Sequence, residues 1–365
     1  MSDSNEPRGI QFAYWVPNVS GGLVVSKIEQ RTHWEYDYNK RLAQLAERSG
    51  FDYALSQVRY MASYGAEYQH ESTSFSLALL LATERLKVIA AVHPGLWQPA
   101  VLAKLIATAD HLSNGRIAVN VVSGWFKGEF TALGEPWLEH DERYRRAEEF
   151  IRVLRASWTE DHAELSGDFY RLRGYNLKPK PVQSPHPEIF QGGNSVAARR
   201  MAARVSDWYF MNGNSIEGVK AQIDEIRAAA AALGRRVKFG LNAFIIARDT
   251  ADEAQAVLRE IIAKADVEAV HGFGEAVKQA GKSTHEKQGM WATSTFEDLV
   301  QYNDGFRTGL IGTPEQIAER IVAYRAVGVD LVLGGFLHYL EDVEYFGTRV
   351  LPLVRELEAA AAVAA

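Results

Sequence analysis

Asn120 stands near the end of an apolar run, Ile117 to Val122, that breaks off into Ser123, Gly124 and Trp125. A buried parallel strand delivers side chains to a site at its C-terminal end in this way. An amide there can both donate to and accept from a ligand, although an isolated asparagine at a strand end is by default a satisfied turn residue. Glu129 follows, and then His140-Asp-Glu-Arg-Tyr144. Arg143 and Tyr144 open a predicted helix with Asp141 as its N-cap, and a guanidinium and a phenol beside unpaired helix N–H groups suit a phosphate. A second anion-friendly turn is Gln191-Gly-Gly-Asn-Ser195, between an apolar run and an Ala-rich helix. Gly193 and Asn194 let backbone N–H groups approach an anion, and Ser195 can donate its hydroxyl. Each signal alone is weak, a solvated Arg beside a packing Tyr or an ordinary glycine turn. Two of them on one face of one fold imply a phosphorylated cofactor.

His70, His93 and His338 fall just past predicted strand ends, where an acid or base would be wanted. A single histidine there is by default a hydrogen-bonded support. None has the spacing of a His-Glu-x-x-His site, so no metal is expected. Trp15, Trp97, Trp125, Trp137 and Trp291 can shape an apolar pocket, with core packing as the ordinary alternative.

Parallel elements must hold these residues together. Apolar runs of strand length (Ile10 to Val16, Tyr53 to Leu55, Lys87 to Val92, Ile117 to Val122, Glu188 to Phe190, Trp208 to Met211, Val237 to Ala247, Asp330 to Leu333) alternate with amphipathic helical segments. About eight such units predict an α/β fold, a (β/α)₈ TIM barrel, over an open doubly wound sheet. No Gly-x-Gly-x-x-Gly follows the first strand, which argues against a dinucleotide fold. Thr313-Pro314 reads as a helix start, and Gly328 and Ser49-Gly50 as stops. Residues 1–365 read as one domain with no linker and an insertion at 266–312. That insertion is either a lid, with Gly272, Gly274, Gly281 and Gly289 permitting movement and Trp291 closing over the pocket, or a surface excursion anchored by a buried Trp. The Ala-rich tail from Ala359 to Ala365 is expected to fray.

Composition narrows the function further. The chain of 365 residues has 46 acidic and 40 basic side chains, a net charge of −6, and no basic run to track a phosphodiester backbone. Nucleic acid is not an expected partner. With no cysteine, disulfides and thiol nucleophiles are excluded, a cytoplasmic setting is expected, and redox chemistry would come from a cofactor. No apolar run approaches the roughly 20 residues of a membrane helix.

With these residues in view, the chain resembles the bacterial luciferase-like family of reduced-flavin monooxygenases, where a strand reading N-x-V-[ST]-G-W supplies an Asn to the flavin pocket and R-Y contacts the phosphate. The resemblance runs from Phe12 to Leu353. The stretches Phe12 to Val24 (FAYWVPNVSGGLV) and Gly328 to Leu333 (GVDLVL) look like the dimethylsulfone monooxygenase branch. It implies FMN, used as FMNH2, with O2 as co-substrate, a separate NAD(P)H-dependent FMN reductase, and a homo-oligomer, dimer or tetramer. It places Asn120 and Glu129 at the flavin and ribityl chain, Arg143, Tyr144 and Ser195 at the phosphate with Gly193 and Asn194, and Val58 and Arg59 at the ring. Asn120, Trp15, His93, Asn242 and His338 form the candidate catalytic set.

The departures carry information as well. The alkanesulfonate monooxygenases of the family have Arg-x-His on the seventh strand and a Cys after the second; here Asn242 and Phe244 stand at the strand positions. An anion needs a cation nearby, whereas a dialkyl sulfone can be held by amides and apolar walls. The swap points to a small neutral organosulfur substrate, with dimethyl sulfone converted to methanesulfinate and formaldehyde in sulfur assimilation. Ala91 replaces a Thr of the related pyrimidine monooxygenases and lacks its hydroxyl. Alternatives are a relative acting on alkanesulfonates or nitrogen heterocycles, or a non-catalytic flavin-binding barrel.

Overall fold

In a computed structural model, residues 9–62, 66–282 and 293–364 are described. Eight parallel strands close into a barrel in chain order: β1 (Gln11–Val16), β2 (Tyr53–Ser56), β3 (Lys87–Val92), β4 (Ile117–Val121), β5 (Ile189–Gly192), β6 (Trp208–Met211), β7 (Lys238–Phe244) and β8 (Leu331–Gly335). The (β/α)₈ expectation is met because these segments are apolar on both faces: side chains fill the barrel inside and meet helices outside. The register pairs Ala91 with Asn120 and Asn120 with Phe190, so three neighbouring strands present their ends at one level.

Inside the barrel, Phe190 and Trp208 stack at 5.1 Å with 8° between their rings, and Tyr53 meets both edge-on. Below them, at the N-terminal end, Glu188 accepts from Tyr53 Oη (2.7 Å), Trp208 Nε1 (2.8 Å), Lys238 Nζ (2.7 Å) and Lys87 Nζ (3.2 Å). Burial by itself would raise this carboxyl, yet the charges of Lys238 and Lys87 hold it at about 2.

Helix punctuation follows local chemistry. Thr313 forms a capping box with Gln316 before Pro314, and Gly328, at φ +109, follows the helix Pro314–Ala326 and its C-cap. One expectation is corrected, and further elements join the barrel. The helix His140–Thr159 starts before Asp141, which lies in its first turn, and its N-cap Glu139 makes no side-chain cap bond. An antiparallel hairpin, Ala163–Ser166 with Arg171–Tyr175, intervenes before β5. The insertion contains a helix, Val267–Lys282, despite its glycines. The last helix, Leu351–Ala364, is tied down ahead of the Ala-rich tail, where Glu358 accepts from the Ile10 N–H (2.6 Å) and Arg355 donates to the Ile10 carbonyl (2.8 Å), and residues 359–363 are exposed. Trp291 and Gly289, on which the lid reading drew, lie outside the described residues.

Candidate active site

The C-terminal ends of the strands surround a cavity, and the polar groups reaching it come from several of them: Trp15 from β1, Asn120 from β4, Asn212 just past β6 and Asn242 from β7. Asn242 is held at both ends of its amide, donating to Met211 O (2.8 Å) and accepting from Trp15 Nε1 (3.1 Å). It ties β1, β6 and β7 together and offers the cavity an orientation fixed in advance. Asn120 differs. Its Oδ1 is buried with no hydrogen-bond partner among the described residues, although the residue is only 7% exposed. An acceptor left without a partner in that position calls for a ligand N–H or O–H.

Where β5 ends, Gly193 adopts φ +131, and a Cβ on it would stand 2.6 Å from the Tyr144 hydroxyl. The glycine is therefore required by close approach as well as by conformation. Ser195 caps the helix Val196–Val205 by accepting from Ala198 N (3.2 Å), and its hydroxyl also hydrogen-bonds Tyr144. Burial raises the Tyr144 pKa, so the phenol stays protonated and can donate. Two hydroxyls, a glycine turn and a helix N-terminus make a cradle that fits a phosphate ester. Val58 and Arg59 line the cavity after β2, with the Arg59 guanidinium 4.5 Å from the centre of the Trp125 ring. Phe210, Phe273 and Tyr302 complete an apolar wall.

This cavity, with an anion cradle at one end and aromatic walls at the other, is carried by a chain that matches the luciferase-like monooxygenase family model over residues 10–331. The chain belongs to that family. It is 72% identical over 349 residues, 96% of each chain, to a protein of Pseudomonas putida named FMNH2-dependent dimethylsulfone monooxygenase. A protein of Pseudomonas fluorescens (strain Pf0-1) with the same name is 70% identical over 97% of each chain. Among solved structures, a riboflavin lyase with modified FMN and riboflavin superposes with a TM-score of 0.82 at 22% identity, covering 96% of this chain and 92% of that one, a likeness of fold.

Within the luciferase-like barrel, Trp15, Val58, Arg59, Asn120, Tyr144, Gly193 and Asn242 come together on the cavity wall, Ser195 adjoins it through its bond to Tyr144, and the other sequence candidates stand outside it. Arg143 is buried, donates to Leu138 O (2.8 Å) and lies 4.0 Å from the centre of the Trp137 ring, and burial lowers its pKa. The Asn194 carboxamide accepts from Gln222 (3.0 Å). Glu129 accepts from the Tyr60 N–H (2.5 Å) and faces His93. His338 caps the helix Tyr339–Tyr345 and its Nδ1 accepts from the Arg31 N–H (3.2 Å). His70 stacks on Phe75. Phe244 is fully buried against Phe306, so of the two strand-seven departures only Asn242 reaches the cavity.

Sequence reasoning missed Asn212, Phe273, Tyr302 and Asn303, all on the cavity wall. Asn212 had a signal, since it follows an apolar strand as Asn120 ends one. The others come from 266–312 and carried none. Asp304 holds Asn212 in place by accepting from its Nδ2 (3.2 Å) while also accepting from Ser294 Oγ (2.6 Å), and burial raises the Asp304 carboxyl to about 6. No group of His, Asp and Glu side chains suited to a metal occurs among the described residues, and no described helix is long and apolar enough to cross a membrane.

Proposed function

We propose that this chain is an FMNH2-dependent monooxygenase that oxidises dimethyl sulfone, receiving its reduced flavin from a separate NAD(P)H-dependent reductase in the cytoplasm and working as a homo-oligomer. The balanced reaction takes dimethyl sulfone, O2 and FMNH2 to methanesulfinate, formaldehyde, FMN and water. The observation that carries the reading is the name shared by two relatives at least 70% identical over nearly the whole chain. The cavity chemistry agrees with it, because the cradle at Tyr144, Gly193 and Ser195 fits the FMN phosphate and the unpartnered Asn120 Oδ1 fits a polar group of its ring or ribityl chain.

Bound reduced FMN would supply the two electrons needed to reduce O2. The chain's part is to hold and to exclude. Tyr144, its hydroxyl bonded to Ser195, would donate to a phosphate oxygen, Asn120 would accept from the flavin, and Trp125, Phe210, Phe273 and Tyr302 would keep water from the reacting atoms. Asn242 and Asn212, with fixed amides, give a neutral sulfone polar neighbours without a counter-charge. Arg59 favours a second reading. It brings a cation to the cavity, and an alkanesulfonate would pair with it.

The test is O2 uptake and formaldehyde release with reduced FMN and dimethyl sulfone. Stoichiometric formaldehyde supports the proposal. Absence of sulfone-dependent O2 uptake, with tight FMN binding retained, overturns the sulfone reading; uptake with an alkanesulfonate then gives the second reading, and no uptake with either substrate leaves a non-catalytic flavin barrel.

A further inference from the structure

Glu129 is fully buried yet is not part of the cavity wall, and it meets two loops at once. Its Oε1 accepts from the Tyr60 N–H (2.5 Å), on the loop after β2. Its Oε2 lies 3.5 Å from His93 Nε2, at the end of β3. His93 Nδ1 is 2.8 Å from the Val122 carbonyl oxygen, which can only accept, so that nitrogen carries a proton. In the neutral ring Nε2 is then a lone pair, and it faces a carboxyl oxygen that has no hydrogen-bond partner of its own. Two acceptors directed at each other in a dry interior repel unless a proton lies between them. Burial, reinforced by the charge of Arg59, lowers His93 to about 3, and burial raises Glu129 against the opposing pull of Arg59.

We infer that Glu129 works as a neutral carboxylic acid, its proton directed at His93 Nε2, and that it is a positioning residue which clamps the loops after β2, β3 and β4 and so sets Arg59 against Trp125 on the cavity wall. Glu129 lies on the helix Lys127–Ala132, four residues after Trp125, and Tyr60 directly follows Arg59. Fastening Tyr60 to Glu129 therefore fixes the two chain segments from which the Arg59 and Trp125 side chains meet. The clamp is doubled from the third loop, because Trp97 Nε1 donates to the Tyr60 hydroxyl (2.8 Å). This assignment differs from a direct flavin contact, and it rests on the flavin monooxygenase reading only for its kinetic arm.

Glu129→Gln separates the two roles. A glutamine carbonyl can accept from Tyr60 while its NH2 donates to His93 Nε2, copying the neutral acid, whereas Glu129→Ala can do neither. Under the inference, Glu129→Gln keeps kcat/KM for dimethyl sulfone and the dissociation constant of FMN within about threefold of the parent, and Glu129→Ala lowers kcat/KM by roughly 30-fold or more. The loss is non-additive with Arg59→Ala, since both act through one contact. Hydrogen exchange at the Tyr60 amide, measured without flavin, stays slow in Glu129→Gln and accelerates in Glu129→Ala. Should Glu129→Ala fail to fold, Glu129→Gln still decides: parent-like kinetics with a protected Tyr60 amide support the clamp. A Glu129→Gln variant impaired by about 30-fold, with its Tyr60 amide still protected, overturns it and returns Glu129 to direct contact with ligand. A parent with no sulfone turnover refutes the functional reading alone, and the amide exchange still tests the clamp.

Discussion

Asn120 and Tyr144 sit in one cavity, the proposed function gives them different work, and the difference is measurable. Asn120→Ala removes an acceptor directed at the ligand, so turnover per bound flavin should fall further than FMN affinity. Tyr144→Phe removes a buried donor from the phosphate cradle and should weaken FMN binding by about 1–2 kcal/mol while leaving turnover of the saturated enzyme nearly intact. Fluorescence titration of FMN together with kcat at saturation distinguishes them; equal losses of affinity would overturn the division. Asp304 makes a residue-scale prediction of another kind. Its folded pKa of about 6 lies above the usual carboxylate value, so the folded state holds a proton that the unfolded chain has released. Between about pH 4 and pH 6 the unfolded state binds fewer protons, and stability falls as pH rises through that window. Asp304→Asn should abolish this slope, which amounts to on the order of 3 kcal/mol, and urea melts of both proteins at pH 4.5, 6 and 7.5 would show it. Parallel stability profiles would count against it.

At the scale of elements, the barrel floor is joined through one carboxylate. Glu188 takes donors from β2 (Tyr53), β3 (Lys87), β6 (Trp208) and β7 (Lys238) at the N-terminal end. Glu188→Ala leaves the Tyr53 and Trp208 donors unpaired in the interior and should cost about 2–4 kcal/mol, read from the denaturant midpoint. Because the folded pKa is depressed to about 2, this contribution is present above about pH 4.5 and lost as pH falls toward 2. Glu188→Gln should accordingly show a shallower loss of stability between pH 4.5 and 2.5 than the parent. The helix Pro314–Ala326, by contrast, was legible residue by residue. Thr313-Pro314 and Gly328 announced this helix, which precedes β8, because caps answer local needs of the backbone. Helix Val267–Lys282 was not legible, since Gly272 and Gly274 lower intrinsic propensity, and the helix is held by tertiary contact: Phe273 packs edge-on against Trp125 and Tyr302.

For the molecule as a whole, the open question is the charge of the substrate, and here two features oppose each other. Asn242, oriented by Trp15 and Met211, gives a neutral wall, while Arg59 brings a cation. Arg59 is engaged with the Trp125 face and donates to Val58 O (2.9 Å), which leaves less of its charge for an anion. The expected outcome is a ratio of kcat/KM for methanesulfonate over dimethyl sulfone below one; a ratio above one would establish the sulfonate reading.

The sequence by itself determined the barrel, because eight apolar runs alternating with amphipathic helices have few ways to bury both strand faces. It also marked Gly193 and Ser195 as a glycine turn ahead of a helix N-terminus, readable within a few residues. Only the tertiary structure decided which polar side chains face the cavity. Arg143 and Tyr144 are adjacent on one helix, and successive helical residues point about 100° apart, so one reaches the cradle and its neighbour lies against Trp137. Glu129, His93 and Tyr60 come from three loops, and neither their meeting nor the burial that shifts their protons exists until the barrel has closed.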